Sequence, residues 1–280
     1  MKNLFFCSIL LLVCSVISAY DGYRRFINID VLHYEFALSI SDSTDSISGR
    51  AAVELKILAK TDSVSLDLKG LNSQGLGMSV TRVYQEGKEI KWNQGKGKLL
   101  IYLKNPATTG DTLQIIIDYH GIPADGLIIS RNKFGDRTFF ADHWPDRASN
   151  YLPCIDHPYD KATVDFIITA PDRYSVVANG ILTEESDLVG NMKLTHWKES
   201  VPVPVKVMTF GAARFAVKYE GESNKIPISS WVFPQNRQEG FNDYSIAFGP
   251  LGFYSHLIGD YPYEKLANVQ SKTIYGGLEN

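Results

Sequence analysis

Two stretches of the 280-residue sequence gather side chains able to do chemistry. The first is FFADHWPDRASNYLPCIDHPYDKATVDF, Phe139 to Phe166. It places Asp142, His143, Asp146, Arg147, Asp156, His157, Asp160 and Lys161 within twenty residues. Carboxylate and imidazole are suitable metal ligands, so Asp142, His143, Asp156 and His157 form one candidate metal set. Their spacing matches no compact ligand motif, and neither His has a second His four residues on. The competing reading is structural. Arg147, Asp156 and Lys161 would pair to hold a long loop between strands, with Trp144, Tyr151 and Leu152 packed beneath it. A buried loop must satisfy its backbone and charged groups internally. The structural role is the expectation, with some of these residues also facing a cleft.

The second stretch is IYGGLEN, Ile274 to Asn280, on which the chain stops. Paired glycines let another molecule approach the backbone closely. A carboxylate two residues on is placed to meet a cation there. Taken alone, Glu279 reads first as a solvent-facing acid at a strand end.

Composition narrows the classes that could carry these stretches. Apolar residues make up 44% and aromatics 12%, enough for a packed core, and 21% charged residues argue against disorder. With a net charge of −3 and no basic block, nucleic acid is not an expected partner. Lys2, the apolar run Leu4–Ile17 and small Ser18-Ala19 read as an export signal over residues 1–19, cleaved before Tyr20. The run is too short and wrongly flanked for a membrane span, so none is expected after signal removal. Val13 is bulkier than the small residue expected before a lipidated cysteine, which argues against lipid attachment at Cys14. The mature protein is therefore expected in the periplasm or outside the cell. Loss of Cys7 and Cys14 with the signal leaves Cys154 alone, so no internal disulfide is expected and Cys154 reads as a small buried hydrophobe.

The elements that must position the two stretches are mostly strands. In DVLHYEFALSI, Leu32, Tyr34, Phe36, Leu38 and Ile40 alternate with smaller or polar residues. GRAAVELKI repeats this with Ala51, Val53, Leu55 and Ile57, and SVSLDLKG sets Val64, Leu66 and Leu68 opposite Ser65, Asp67 and Lys69. Further strands are expected over 98–104, 112–119, 162–169, 174–179, 192–197 and 205–210. QEGK, NQGKG and ANG supply the turns between them. Many short strands with no long helix predict a β-sandwich. The polar KYEGESNKIP reads as a junction, dividing a domain over 20–218 from a second, α/β unit over 219–280. There one helical stretch is predicted from about Gln238 to Ile258, with Phe241, Tyr244, Phe248, Leu251 and Ile258 on its apolar face. Pro250 should kink or split it, and Gly259 should stop it. LANVQSKTIY reads as a strand leading into the glycine pair.

Five blocks carry a resemblance: RASNYLPCIDHPYDKATVDF, ANG, SVPVPVKVMTFGAARF, YPYEKLANVQ and GGLEN. They occur in the order found in the aminopeptidase N family of zinc exopeptidases, which includes leukotriene hydrolase, and the resemblance spans roughly residues 22–280. Pro153-Cys154-Ile155-Asp156-His157-Pro158 resembles the family's Pro-Cys/Thr-x-Asp-x-Pro turn. GGLEN resembles its Gly-x-Met-Glu-Asn signature, with Leu278 as a nearly volume-conserving replacement for Met. The resemblance implies an amino-terminal sandwich or saddle-like domain followed by the start of a thermolysin-like catalytic domain. It implies that Glu279 holds the ammonium of a peptide's amino terminus, with Asn280 completing the signature. Gly276 and Gly277 would let the substrate run alongside as an added strand.

Two departures qualify these implications. Many members carry Gln or Glu ten residues before the Cys/Thr of the turn, where this sequence has Trp144, which offers an ammonium a cation–π face instead. The family's zinc also needs His-Glu-x-x-His on a helix: two His one turn apart to bind the ion and a Glu to activate its water. None of the six histidines here begins that motif. In the family it follows the signature on which this chain stops. The expectation is thus the first part of an exported zinc aminopeptidase, inactive alone, with zinc and the remainder of the catalytic domain supplied elsewhere and no cofactor in this chain. A non-catalytic exported sandwich that binds peptides or partners is the alternative.

Overall fold

The computed structural model describes residues 21–273 and 276–280. The expected export segment and Cys14 lie outside the described residues, as do Ile274 and Tyr275. Eight strands form the main sheet: β1 (Ile29–Ser39), β2 (Ile47–Ile57), β4 (Gly77–Gln85), β5 (Lys88–Glu89), β8 (Thr112–Ile122), β11 (Ala162–Pro171), β13 (Ile181–Leu188) and β14 (Met192–Val203). Their order is β13-β14-β11-β1-β2-β8-β4-β5. Only β1 and β11 run parallel, in a register that sets Phe36 beside Phe166.

Two smaller sheets cover one face. One is built from β3 (Thr61–Asp67), β6 (Trp92–Gln94) and β7 (Lys98–Ala107). The other is built from β9 (Leu127–Arg131), β10 (Arg137–Ala141), β12 (Ser175–Ala178) and β15 (Phe210–Ala213). Val64, Leu66, Leu99, Ile101, Phe139 and Phe210 from the covering sheets share one buried core with Tyr34, Phe36, Val53, Ile115 and Phe166 of the main sheet. Alternation produces this, because every second side chain of a strand faces the same way.

One expected inward residue is displaced. A bulge between Val31 and His33 puts two β1 residues against one partner on β2, so Val31 is fully buried and Leu32 is 37% exposed. The strand expected over 205–210 is also different: Val205–Val207 is a 3-10 turn, and pairing resumes at β15. The turn readings hold. Glu86 and Gly87 both take positive φ in the β4–β5 hairpin, and Gly180 does so between β12 and β13.

The polar stretch read as a junction is a β-hairpin. β16 (Ala216–Ser223) turns through Asn224 and Lys225, both at positive φ, into β17 (Ile226–Val232). β17 then pairs in parallel with β18 (Leu266–Val269), which is shorter than the expected LANVQSKTIY strand. Between them lie α1 (Arg237–Tyr244) and α2 (Phe248–Leu257), separated by a 3-10 turn at Ser245–Ala247. Pro250 sits in the first turn of α2, where no intrahelical N–H bond is needed, so the break precedes it. Gly259, at φ 140°, follows the helix end. The apolar face differs from the expected one: Leu251 is buried and Phe248 packs against Gly221, but Ile258 is 79% exposed.

Candidate functional site

β10 delivers the chain into the first candidate stretch, and β9 and β10 bring Gly126 against it. Gly126 takes φ 76°, and an added Cβ would strike the Arg147 carbonyl, so the close approach requires glycine. The Asp142 N–H donates to the Gly126 carbonyl at 2.8 Å. Arg147 is the hub of this half of the loop. Its guanidinium pairs with buried Asp142 and with Asp125 at 3.1 Å, and its Nε donates to the Trp144 carbonyl at 2.7 Å. The expected Arg147–Asp156–Lys161 set does not form: Arg147 chooses the acids beside it in space, and Lys161 points to solvent.

His143 is fully buried between two partners. Tyr151 donates its hydroxyl to Nε2 at 2.8 Å, and Nδ1 faces the Val205 carbonyl at 3.2 Å, so a neutral ring protonated on Nδ1 satisfies both. Burial pushes its pKa down to about 4. Tyr151 and Leu152 are buried as expected. Trp144, expected beneath the loop, is instead 46% exposed.

The other half of the loop is pinned by Asp67, at the end of β3. The Asp67 N–H donates to the Cys154 carbonyl at 2.7 Å, and the Cys154 N–H returns to the Asp67 carbonyl at 3.1 Å. The Asp67 carboxylate pairs with Lys98, and its Oδ2 accepts from the Asp156 N–H at 3.0 Å and the Tyr23 hydroxyl at 2.5 Å. Asp156 accepts the Ser149 N–H at 2.9 Å, and burial raises its pKa. Tyr34 receives the Ile155 N–H at 2.9 Å, and Asp160 receives the Val31 N–H at 3.3 Å. Burial drives the Cys154 thiol well above its ordinary range, which suits an inert core residue.

These contacts separate the four candidate metal ligands into two unrelated pairs. His157 stacks on Tyr23 at 4.6 Å, with Nε2 3.1 Å from Asp21 and Nδ1 accepting from the Tyr159 N–H at 3.1 Å. The ring nitrogens of His143 and His157 are thus committed within the protein. Among the described residues, no three His, Cys, Asp or Glu side chains gather to share a metal ion. The described residues therefore do not fit a zinc site.

The second candidate stretch lies beyond β18. Gln270 donates its N–H to the Trp231 carbonyl at 2.8 Å, and its side-chain oxygen accepts from the Phe233 N–H at 2.8 Å, continuing the β17 edge. Gly276, Gly277, Glu279 and Asn280 are all exposed, and Leu278 is half-buried. A Cβ added at Gly276 or Gly277 would meet nothing within 4 Å, so nothing in the chain itself requires glycine there. Sequence reasoning missed Asp67, Tyr23, Tyr34 and Lys98 as determinants of the loop. They lie in four separate segments, and no local spacing connects them to Cys154.

The sandwich pins a buried Pro-Cys-x-Asp turn and continues into a helix-bearing three-stranded unit. Residues 31–205 match the Peptidase M1 N-terminal domain, and the chain belongs to that family. It is 27% identical to rat (Rattus norvegicus) glutamyl aminopeptidase over 184 residues, covering 62% of this chain and 19% of that one. It is 23% identical to leucyl aminopeptidase of Saccharolobus solfataricus over 267 residues, covering 90% of this chain and 31% of that one. The M1 zinc metallopeptidase of Deinococcus radiodurans shares the fold, with a TM-score of 0.69 at 22% identity over 86% of this chain and 55% of that one. The chain thus spans less than a third of these two curated relatives and about half of the solved one. No helix among the described residues is long and apolar enough to cross a membrane.

Proposed function

We propose that this chain is the amino-terminal portion of an exported zinc aminopeptidase, and that Glu279 binds the free α-ammonium of the peptide substrate. The observation that carries this reading is the family match over 31–205 together with the ordered GGLEN signature at 276–280. Glu279 is exposed and has no ion-pair partner among the described residues, so its charge is uncommitted. A carboxylate is a strong detector of an ammonium once both are partly desolvated. Gly276 and Gly277 leave room beside the backbone for a peptide running as an added strand, with Asn280 closing the signature. By the family resemblance Trp144, exposed beyond β10, occupies the position that would add an indole face to the amine site. None of the six histidines begins a His-Glu-x-x-His, so on this reading the zinc ligands belong to the rest of the catalytic domain. The solved D. radiodurans relative bound to a Tyr-Ser-Ala substrate supports a peptide as the ligand class.

The test uses the complete product of the gene. Cleavage of a peptide with a free amino terminus should exceed that of its N-acetylated form. Glu279→Ala should lower kcat/KM by about 30–1000-fold, the loss expected for one partner of a desolvated charge pair. Unchanged activity in that variant removes the amine-anchor role. Absence of a His-Glu-x-x-His in the complete gene product leaves the non-catalytic peptide- or partner-binding sandwich as the function. Export is tested by sequencing the mature amino terminus, expected at Tyr20.

A further inference from the structure

The segment before β18 docks on the sandwich through charged groups that sequence reasoning did not single out. Thr195, Trp197 and Glu199 line the inward face of β14, and Trp197 meets Trp231 of β17 edge to face at 6.2 Å. Glu264 and Lys265 arrive on this surface. Glu264 Oε1 accepts the Ser200 N–H at 3.0 Å and also the Ser200 hydroxyl. Lys265 donates to the Ala178 carbonyl at 2.5 Å and stands 4.8 Å over the Trp197 ring. Glu199 is 2% exposed, and its Oε1 accepts the Val201 N–H at 2.9 Å.

One atom in this set is unaccounted for. Glu264 Oε2 is buried and has no hydrogen-bond donor. Glu264 is held on Ser200, the residue next to Glu199 in the chain, and the two carboxyl groups interact side chain to side chain. Two ionised carboxylates and one ammonium would leave a net negative charge in a site with little water to screen it. A proton on Glu199 resolves both difficulties: it supplies the missing donor and makes the cluster neutral. We propose that Glu199 and Glu264 share a proton, and that this proton latches the Tyr261–Lys265 segment, and with it β18, onto β14 of the sandwich.

The titration behaviour agrees with this geometry. Burial, then the neighbouring Glu264, push Glu199 up to about 7. Glu264 is lowered: burial opposes its charge, but hydrogen bonds from Ser200 and Glu199 outweigh burial. Burial also lowers Lys265 to about 8, with both acids resisting. Tyr261 is the further titratable group facing Glu199, and burial raises it. Because the docked state holds Glu199 protonated above the carboxyl's ordinary value, its contribution to docking is full below about 4.5 and is lost as pH rises through about 7. That of Glu264, whose pKa is lowered, is lost as pH falls below the ordinary carboxyl range. Above about 8 the deprotonation of Lys265 strengthens docking instead, so the informative window lies below it.

Hydrogen exchange of the chain, followed over residues 262–270 and corrected for intrinsic rates, tests the latch. Between pH 5 and 7 each pH unit should multiply the opening equilibrium by up to about tenfold. Glu199→Gln, which carries a donor at every pH, should stay protected and lose that dependence. Equal protection of the wild type across the window, or wild-type pH dependence retained in Glu199→Gln, overturns the proposal. If the variant does not fold, carboxyl-carbon NMR of the wild type decides: a Glu199 titrating in the ordinary carboxyl range refutes the shared proton. The inference does not depend on the aminopeptidase reading.

Discussion

The sandwich and the unit that follows it treat their apolar surface in opposite ways. From β1 to β15 the inward residues meet across three sheets, and even the long loop of Asp142–Asp160 is closed by internal partners. In α1 and α2 only Leu251 is buried, while Ile246, Phe253, Tyr254, Leu257 and Ile258 face outward. Ile246, Leu251 and Tyr254, with Tyr261 and Leu266, border a groove of about 460 Å³ between the helices and β18. The first region buries its apolar surface within itself; the second leaves a dense set of large apolar side chains exposed.

The contrast can be broken most forcefully at the core. Phe166→Ala, at a fully buried ring between Phe36 and Phe210, should cost about 3–5 kcal/mol in urea unfolding. A loss under 1 kcal/mol would mean the sandwich is not the stable region. Gly180→Ala comes next, because φ is 75° and a Cβ would strike the Lys198 carbonyl. It should cost about 2 kcal/mol or more, whereas Gly277→Ala, with open space around it, should stay within about 0.5 kcal/mol.

Acid probes the loop closure. The pKa of His143 is lowered in the folded state to about 4, so its stabilising contribution is present above the ordinary histidine value and lost as pH falls from about 6.5 toward 4. Between pH 7 and 5 the wild type should lose about 2 kcal/mol relative to His143→Gln in paired denaturation curves. Parallel curves would show that His143 is not held neutral. The smallest effect belongs to the second region. Phe253→Ser with Leu257→Ser should change stability by less than about 0.5 kcal/mol yet reduce self-association in light scattering. A large stability loss would show that this face is already covered within the chain.

How much of this was legible varied with the range of the interactions. Strands with unbroken alternation were readable, as at Ala51, Val53, Leu55 and Ile57, because the period is a property of the chain. Leu32 was misassigned because a bulge changes the phase without leaving a mark in local composition. The turn chemistry at Gly87 and Gly180 was readable because positive φ selects glycine. The partners of Arg147 were not: Asp125 and Asp142 flank it only after β9 and β10 pair. Pro250 announced a break, but placing it at Ser245–Ala247 required knowing that proline is accepted in the next helix's first turn.

Sequence by itself determined the β-rich class, the turn positions and, through five ordered blocks, the family. Each of these depends on periodicity or on residues close together in the chain. Tertiary structure alone decided that Asp67 pins the Pro153–Pro158 turn, that His143 is buried between Tyr151 and Val205, and that Glu199 faces Glu264. Those partners are separated by between 8 and 89 positions. Their chemistry arises from burial, which raises or lowers a charge's cost only after distant strands have excluded water around it.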